Sequence, residues 1–143
     1  MECLFRAWDP YDETMYYSNW DADSEYCQFF IEKSSVIAYV SRATDYTPVE
    51  HPALPERLED VMIASPFKDK IGDTIYAKDI IKVPRYLPES EGNPYDICVV
   101  EYENGCFIVK YDDSEDGDIE LLCDIYEVCE VIGNVFANKD LIK

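Results

Sequence analysis

Basic residues are scarce in this chain of 143 residues, where 12 lysines and arginines face 31 aspartates and glutamates for a formal net charge of −19. A net charge of about 2–8 in magnitude keeps a small domain soluble, and self-repulsion beyond that opposes compaction. The scarcity is also patterned, with no lysine or arginine between Lys110 and Lys139 and none from Ala7 to Glu32. Contacts to a polyanion need clustered cations. Direct binding of nucleic acid or of an anionic membrane through these stretches is therefore disfavoured, and a basic partner is favoured. The bland alternative is a solvated acidic face or a salt-adapted host.

Other absences narrow the function. His51 is the single histidine, it stands in a proline-rich stretch, and no motif gives it a nucleophile or an orienting carboxylate. Walker, GxGxxG and GxSxG motifs are lacking, and no cofactor site is indicated, so an enzyme is not expected. No apolar run approaches the ~18 residues of a membrane span, and Glu2 sits where a signal peptide carries positive charge. A leaderless chain implies a reducing cytosol. Cys3, Cys27, Cys98, Cys106, Cys123 and Cys129 form no CxxC pair and are read as small thiols with neither disulfides nor zinc.

What is present is a folding sequence, 48% hydrophobic and 14% aromatic. Proline-bearing segments at residues 44–56 and 84–95 divide it. "CLFRAWDPYDETMYYSNW" reads as two strands around Asp9-Pro10, and "CQFFIEKSSVIAYVSR" as two more, with a helix over 26–33 as an alternative. "PERLEDVM" fits a short helix with Pro55 at its first position. From residue 60 onward "DVMIAS", "DTIYAKDIIKV", "DICVVEY", "CFIVKY", "IELLC" and "YEVCEVIG" are short β-branched and aromatic runs that suggest a small barrel. The expected class is α+β but mainly β, with little helix. An N-terminal β-rich lobe covers residues 1–59 and a barrel lobe covers 60–143.

One hairpin follows residue by residue. Asn104-Gly105 is the strongest two-residue turn signal, because both central positions need positive φ. Pairing Glu103 with Cys106 sets Tyr102 opposite Phe107, Val100 opposite Val109 and Cys98 opposite Tyr111. Alternation then places these six on one face, taken as the core face, with Val99, Glu101, Ile108 and Lys110 on the other. Cys98 and Cys106 fall on opposite faces and cannot be bridged.

The next stretch, "YDDSEDGDIE", concentrates six carboxylates, Asp112, Asp113, Glu115, Asp116, Asp118 and Glu120. Asp112, Ser114 and Asp116 mimic the first ligands of an EF-hand loop, with Gly117 and Ile119 also in place. The bidentate glutamate that should close the loop is Cys123, so a dedicated calcium site is not expected. These six carboxylates are the candidate partner-binding residues. The clustered aromatics Trp8, Tyr11, Tyr16, Tyr17, Trp20 and Tyr26 have two readings. They fill the core of an N-terminal hairpin, or they line a pocket for a small nucleotide with help from Arg6, Arg42 or Arg85.

Three segments taken in order, "FRAWDPYDETMYY", "SPFKDKIGDTIYAKDIIKV" and "CEVIGNVFANKDLI", resemble the YopX-like family of phage and prophage proteins. Phe5 to Asp9, Met15-Tyr16, Phe67 to Lys70, Ile75-Tyr76, Asp79-Ile80 and Val131 to Asn134 carry the likeness. Pro66 and Lys78 depart from it, Lys78 standing where that family has glycine before its Asp-Ile pair. The resemblance implies phage origin, the cytoplasm of an infected bacterium, an SH3-like barrel in the second lobe and a homo-oligomer. It supplies no catalytic residue.

Together these observations point to an interaction protein that inhibits a basic host factor, such as a defence nuclease or another nucleic-acid-binding protein, through a carboxylate-rich surface mimicking DNA. The alternatives are an oligomeric protein that sequesters a small nucleotide signal, and a structural or regulatory phage protein whose charge is incidental.

Overall fold

A computed structural model describes residues 5–18, 27–32, 35–40, 56–84, 94–111 and 119–142. The chain divides into two compact units, Met1–Met62 and Ile63–Lys143. The fold is mainly β with little helix.

In the first unit, β1 (Phe5–Asp9) pairs antiparallel with β2 (Thr14–Tyr17), Ala7 facing Tyr16 and Trp8 facing Met15. The turn between them is set by its own sequence. Asp9 is fully buried and its Oδ1 accepts the Tyr11 N–H at 3.0 Å and the Asp12 N–H at 3.5 Å, the Asx geometry that aspartate before proline favours. β3 (Cys27–Glu32) and β4 (Ser35–Val40) form the second hairpin, so the helix alternative at 26–33 is not adopted.

β5 (Glu56–Leu58) adds to β4, with Leu58 opposite Ala38. The helix expected in "PERLEDVM" is thus replaced by a strand. Burying Leu58 against Ala7, Cys27, Ala38 and Val40 outweighs a weak local helix preference. β6 (Asp60–Lys68) runs from the end of this unit into the next.

In the second unit, β6 pairs with β7 (Thr74–Tyr76) through Ala64–Tyr76 and Lys68–Thr74, and the register shifts between these pairs. The shift falls on Ser65-Pro66-Phe67, where proline has no N–H for a ladder and Ser65 Oγ instead accepts the Phe67 N–H at 3.2 Å. A curled half-barrel sheet follows, made of β8 (Asp79–Pro84), β9 (Tyr95–Glu103), β10 (Cys106–Tyr111), β11 (Ile119–Leu121) and β12 (Glu130–Asn134). Its strand order is β11-β10-β9-β8-β12.

One face of the sheet buries Ile81, Val83, Cys98, Val100 and Val109 with Ile75, Leu122, Ile125 and Cys129. The run read as strand "IELLC" is strand only to Leu121, and α1 (Leu122–Ile125) follows. "YEVC" likewise forms a turn, and pairing resumes at Glu130. Within α1 the two buried residues, Leu122 and Ile125, stand at i and i+3, on one face of a helical turn.

Candidate acidic interaction surface

The Asn104-Gly105 hairpin forms in the expected register, with Glu103 opposite Cys106, Tyr102 opposite Phe107, Val100 opposite Val109 and Cys98 opposite Tyr111. Asn104 at φ 53° and Gly105 at φ 80° supply the two positive-φ positions. The core face holds for Cys98, Val100 and Val109, with Phe107 and Tyr111 packed against it. Tyr102 is a correction, for at 45% exposure it lies at the solvent end of the ribbon. It leans on Phe107 at 4.8 Å between ring centroids, because the strands extend past the core there. The opposite face is not polar throughout, since Ile108 is buried.

β11 continues this ribbon, with Leu121 opposite Ile108, Glu120 opposite Val109 and Ile119 opposite Lys110. Residues 112–118 link β10 to β11 and lie outside the described residues, taking with them Asp112, Asp113, Glu115, Asp116 and Asp118. Glu120 is described and exposed. Its carboxylate accepts a hydrogen bond from the Tyr111 hydroxyl, which burial first and Glu120 second push well above the ordinary tyrosine range. His51, Trp20 and Tyr26 also lie outside the described residues. Of the remaining aromatics, Trp8 is buried and Tyr16 packs on the first unit's core, whereas Tyr11 and Tyr17 are exposed.

The lysines of the second unit are mostly committed. Lys78 reaches Glu101 at 2.7 Å and Lys110 reaches Glu103 at 2.7 Å, while Lys70 and Lys82 share Glu130 at 3.5 and 3.6 Å. Past β11, Asp124 and Glu127 are exposed, and among the described residues no lysine or arginine pairs with either. Asp124 accepts a hydrogen bond from the neighbouring Cys123 thiol and Glu127 one from the neighbouring Tyr126 hydroxyl. The negative charge of Glu127 raises the Tyr126 pKa.

Other carboxylates serve the fold, and sequence reasoning did not separate them. Asp69 is buried, its Oδ1 accepting the N–H groups of Ile71 and Asp73 at 3.1 and 2.8 Å, and its Oδ2 that of Val131 at 2.9 Å. Asp79 is buried and accepts the Tyr76 N–H at 2.8 Å. With Asp9, these are the buried aspartates of the N-terminal and central motif segments, and each ties down a turn.

The C-terminal motif works similarly. Asn134 Oδ1 accepts the N–H groups of Phe136 and Ala137, and Asn138 Oδ1 accepts that of Asn134 at 3.1 Å. A Cβ on Gly133 would sit 2.5 Å from Asn138 Oδ1, so only glycine leaves room for this clasp. Lys78, in the place of a family glycine, takes φ 71°. Its N–H donates to the Val100 carbonyl at 2.7 Å and its carbonyl accepts the Val135 N–H at 3.0 Å.

Cys27, Cys98 and Cys129 are buried free thiols, and Cys106 and Cys123 are exposed ones. Among the described residues no group of histidine, cysteine, aspartate or glutamate is placed to hold a metal, and no helix is long and apolar enough to cross a membrane.

Comparison with known proteins bears on the motifs. YopX from Bacillus subtilis shares the fold at a TM-score of 0.59 and 26% identity, over 100% of this chain and 98% of that one. A protein from Enterococcus faecalis matches at a TM-score of 0.53 and 21% identity, over 100% and 99% of the two chains. No curated protein matches this chain significantly. The sequence profile of the YopX protein family matches residues 4–143, and the chain belongs to that family.

Proposed function

We propose that the protein is a non-enzymatic, acidic binding protein that docks on a cation-lined surface of a bacterial host protein and blocks it. The observation that carries this reading is the uneven use of charge. Four lysines of the second unit are spent on Glu101, Glu103 and Glu130, while Asp124 and Glu127 beside β11 meet no cation among the described residues. Asp112, Asp113, Glu115, Asp116 and Asp118 precede the same strand in a stretch without any basic residue.

Surfaces that hold nucleic acid are rich in lysine and arginine. A carboxylate surface recovers much of the attraction that phosphates use there, and it steers association. The cytoplasm of an infected bacterium is the setting this reading implies, and a nucleic-acid-binding defence protein is the partner class.

The test is capture from host lysate by the tagged protein at low and high salt, in parallel with a variant carrying Asp112→Asn, Asp113→Asn, Glu115→Gln and Asp116→Asn. Salt-sensitive capture of a nucleic-acid-binding protein that the variant loses, with an unchanged melting temperature, is the expected result. Full capture and full biological activity in the neutralised variant would sink the reading.

A further inference from the structure

The two edges of the five-stranded sheet are finished differently. At the β12 edge the Val131 N–H donates to Asp69, the Cys129 carbonyl accepts the Lys70 N–H at 3.0 Å, and an extra residue at Ile132 breaks the register against β8. A carboxylate and a bulge close that edge to further pairing. β11 carries no such closure among the described residues.

Hydrogen-bond directions at β11 follow from the hairpin. In a two-residue hairpin the closing pair, Glu103 and Cys106, exchanges hydrogen bonds, so Ile108 and Lys110 also turn their backbone groups toward β9. Val109 then turns toward β11 and exchanges hydrogen bonds with Glu120. The N–H groups of Ile119 and Leu121 and the carbonyl of Ile119 consequently face away from the sheet. Ile119 and Leu121 are 54% and 45% exposed, and their side chains share the face of Ile108 and Lys110.

We propose that this edge accepts an extended segment of a cationic partner as an added strand. Backbone hydrogen bonds to Ile119 and Leu121 would give affinity, and their side chains would take apolar residues. Asp124 and Glu127 would meet lysine or arginine. Charge selects the occupant: at −19 per chain a second copy is repelled, whereas a basic segment is drawn in. The proposal rests on the acidic-binding reading and names the form of the partner.

The probe is a short peptide alternating lysine with valine, with a second peptide N-methylated at alternate amides to remove one edge of hydrogen bonding at unchanged charge. Fluorescence anisotropy on the full chain should show the methylated peptide binding about tenfold or more weakly. Ile119→Pro should weaken the parent peptide comparably, since it deletes an outward N–H and spares the β10 ladder. Leu121→Lys should do the same should the proline variant misfold.

Equal affinity for both peptides would overturn strand addition while leaving the acidic reading intact. Failure to bind either peptide, by protein that still captures a basic host factor, would overturn it too. A dimer abolished by Ile119→Pro would assign the edge to a second copy instead. Loss of the acidic reading itself is registered separately, by full capture in the four-site neutralised variant.

Discussion

At the β12 edge of the second unit acidic side chains are consumed, and at the β11 edge they are left over. Beside β12, Asp69 is buried against three backbone N–H groups and Glu130 is shared by Lys70 and Lys82. Beside β11, Asp124 and Glu127 are exposed with no cation among the described residues, and Glu120 meets a tyrosine hydroxyl. A net charge of −19 therefore describes two populations of carboxylate. One belongs to the fold and the other is exposed to solvent.

The sharpest way to break this contrast is Asp69→Ala. It leaves the N–H groups of Ile71, Asp73 and Val131 without their acceptor and should cost about 3 kcal/mol in urea unfolding. A loss below about 1 kcal/mol would show that solvent replaces the carboxylate and that the β12 edge is not held by it.

Gly133→Ala attacks the same edge by shape. The new Cβ would meet Asn138 Oδ1 at 2.5 Å and dislodge the Asn134–Asn138 clasp, at about 2 kcal/mol. Combining it with Asn138→Ala should cost less than the sum of the two single changes. Strict additivity would contradict the clasp.

Alkali should act more gently, through two buried thiols, Cys27 in the first unit and Cys129 just before β12. Burial pushes the Cys27 and Cys129 thiols up to about 11 from the ordinary 9.0. The unfolded chain releases these protons first. Stability should thus be whole below about pH 9 and decline as pH rises toward about 11. The serine variants of both cysteines should flatten that decline in a pH series of urea midpoints. An unaltered slope would place its cause elsewhere.

The smallest effect is expected at β11. Asp124→Asn with Glu127→Gln removes two exposed charges that no cation among the described residues balances, so the melting temperature should hold or rise slightly. A fall of several degrees would mean that these acids support the fold as Asp69 does.

How far this was legible in the sequence depends on the range of the interaction. The Asn104-Gly105 hairpin could be written out pair by pair, because turn chemistry and alternation are local rules. The same rules misplaced Tyr102, since they do not say where the core ends. The helix at Leu122 was hidden by a β-rich composition and by its length of a single turn, Leu122–Ile125. "PERLEDVM" became strand through pairing with β4, which its own residues do not announce. The motif segments were visible as a family likeness, but the burial of Asp9, Asp69 and Asp79 is a tertiary fact. Lys78 shows the same limit, since its side chain suggests nothing of a positive φ fixed by its contacts with Val100 and Val135. Of the six candidate carboxylates, only Glu120 lies within the described residues.

The two edges can be set against each other in a single titration, following backbone amide resonances of the full chain while a short lysine oligomer is added at physiological salt. The account predicts shifts concentrated on residues 112–127, with Asp69 and Glu130 to Asn134 nearly silent. Shifts centred on β12, or spread evenly over every exposed acid, would contradict it.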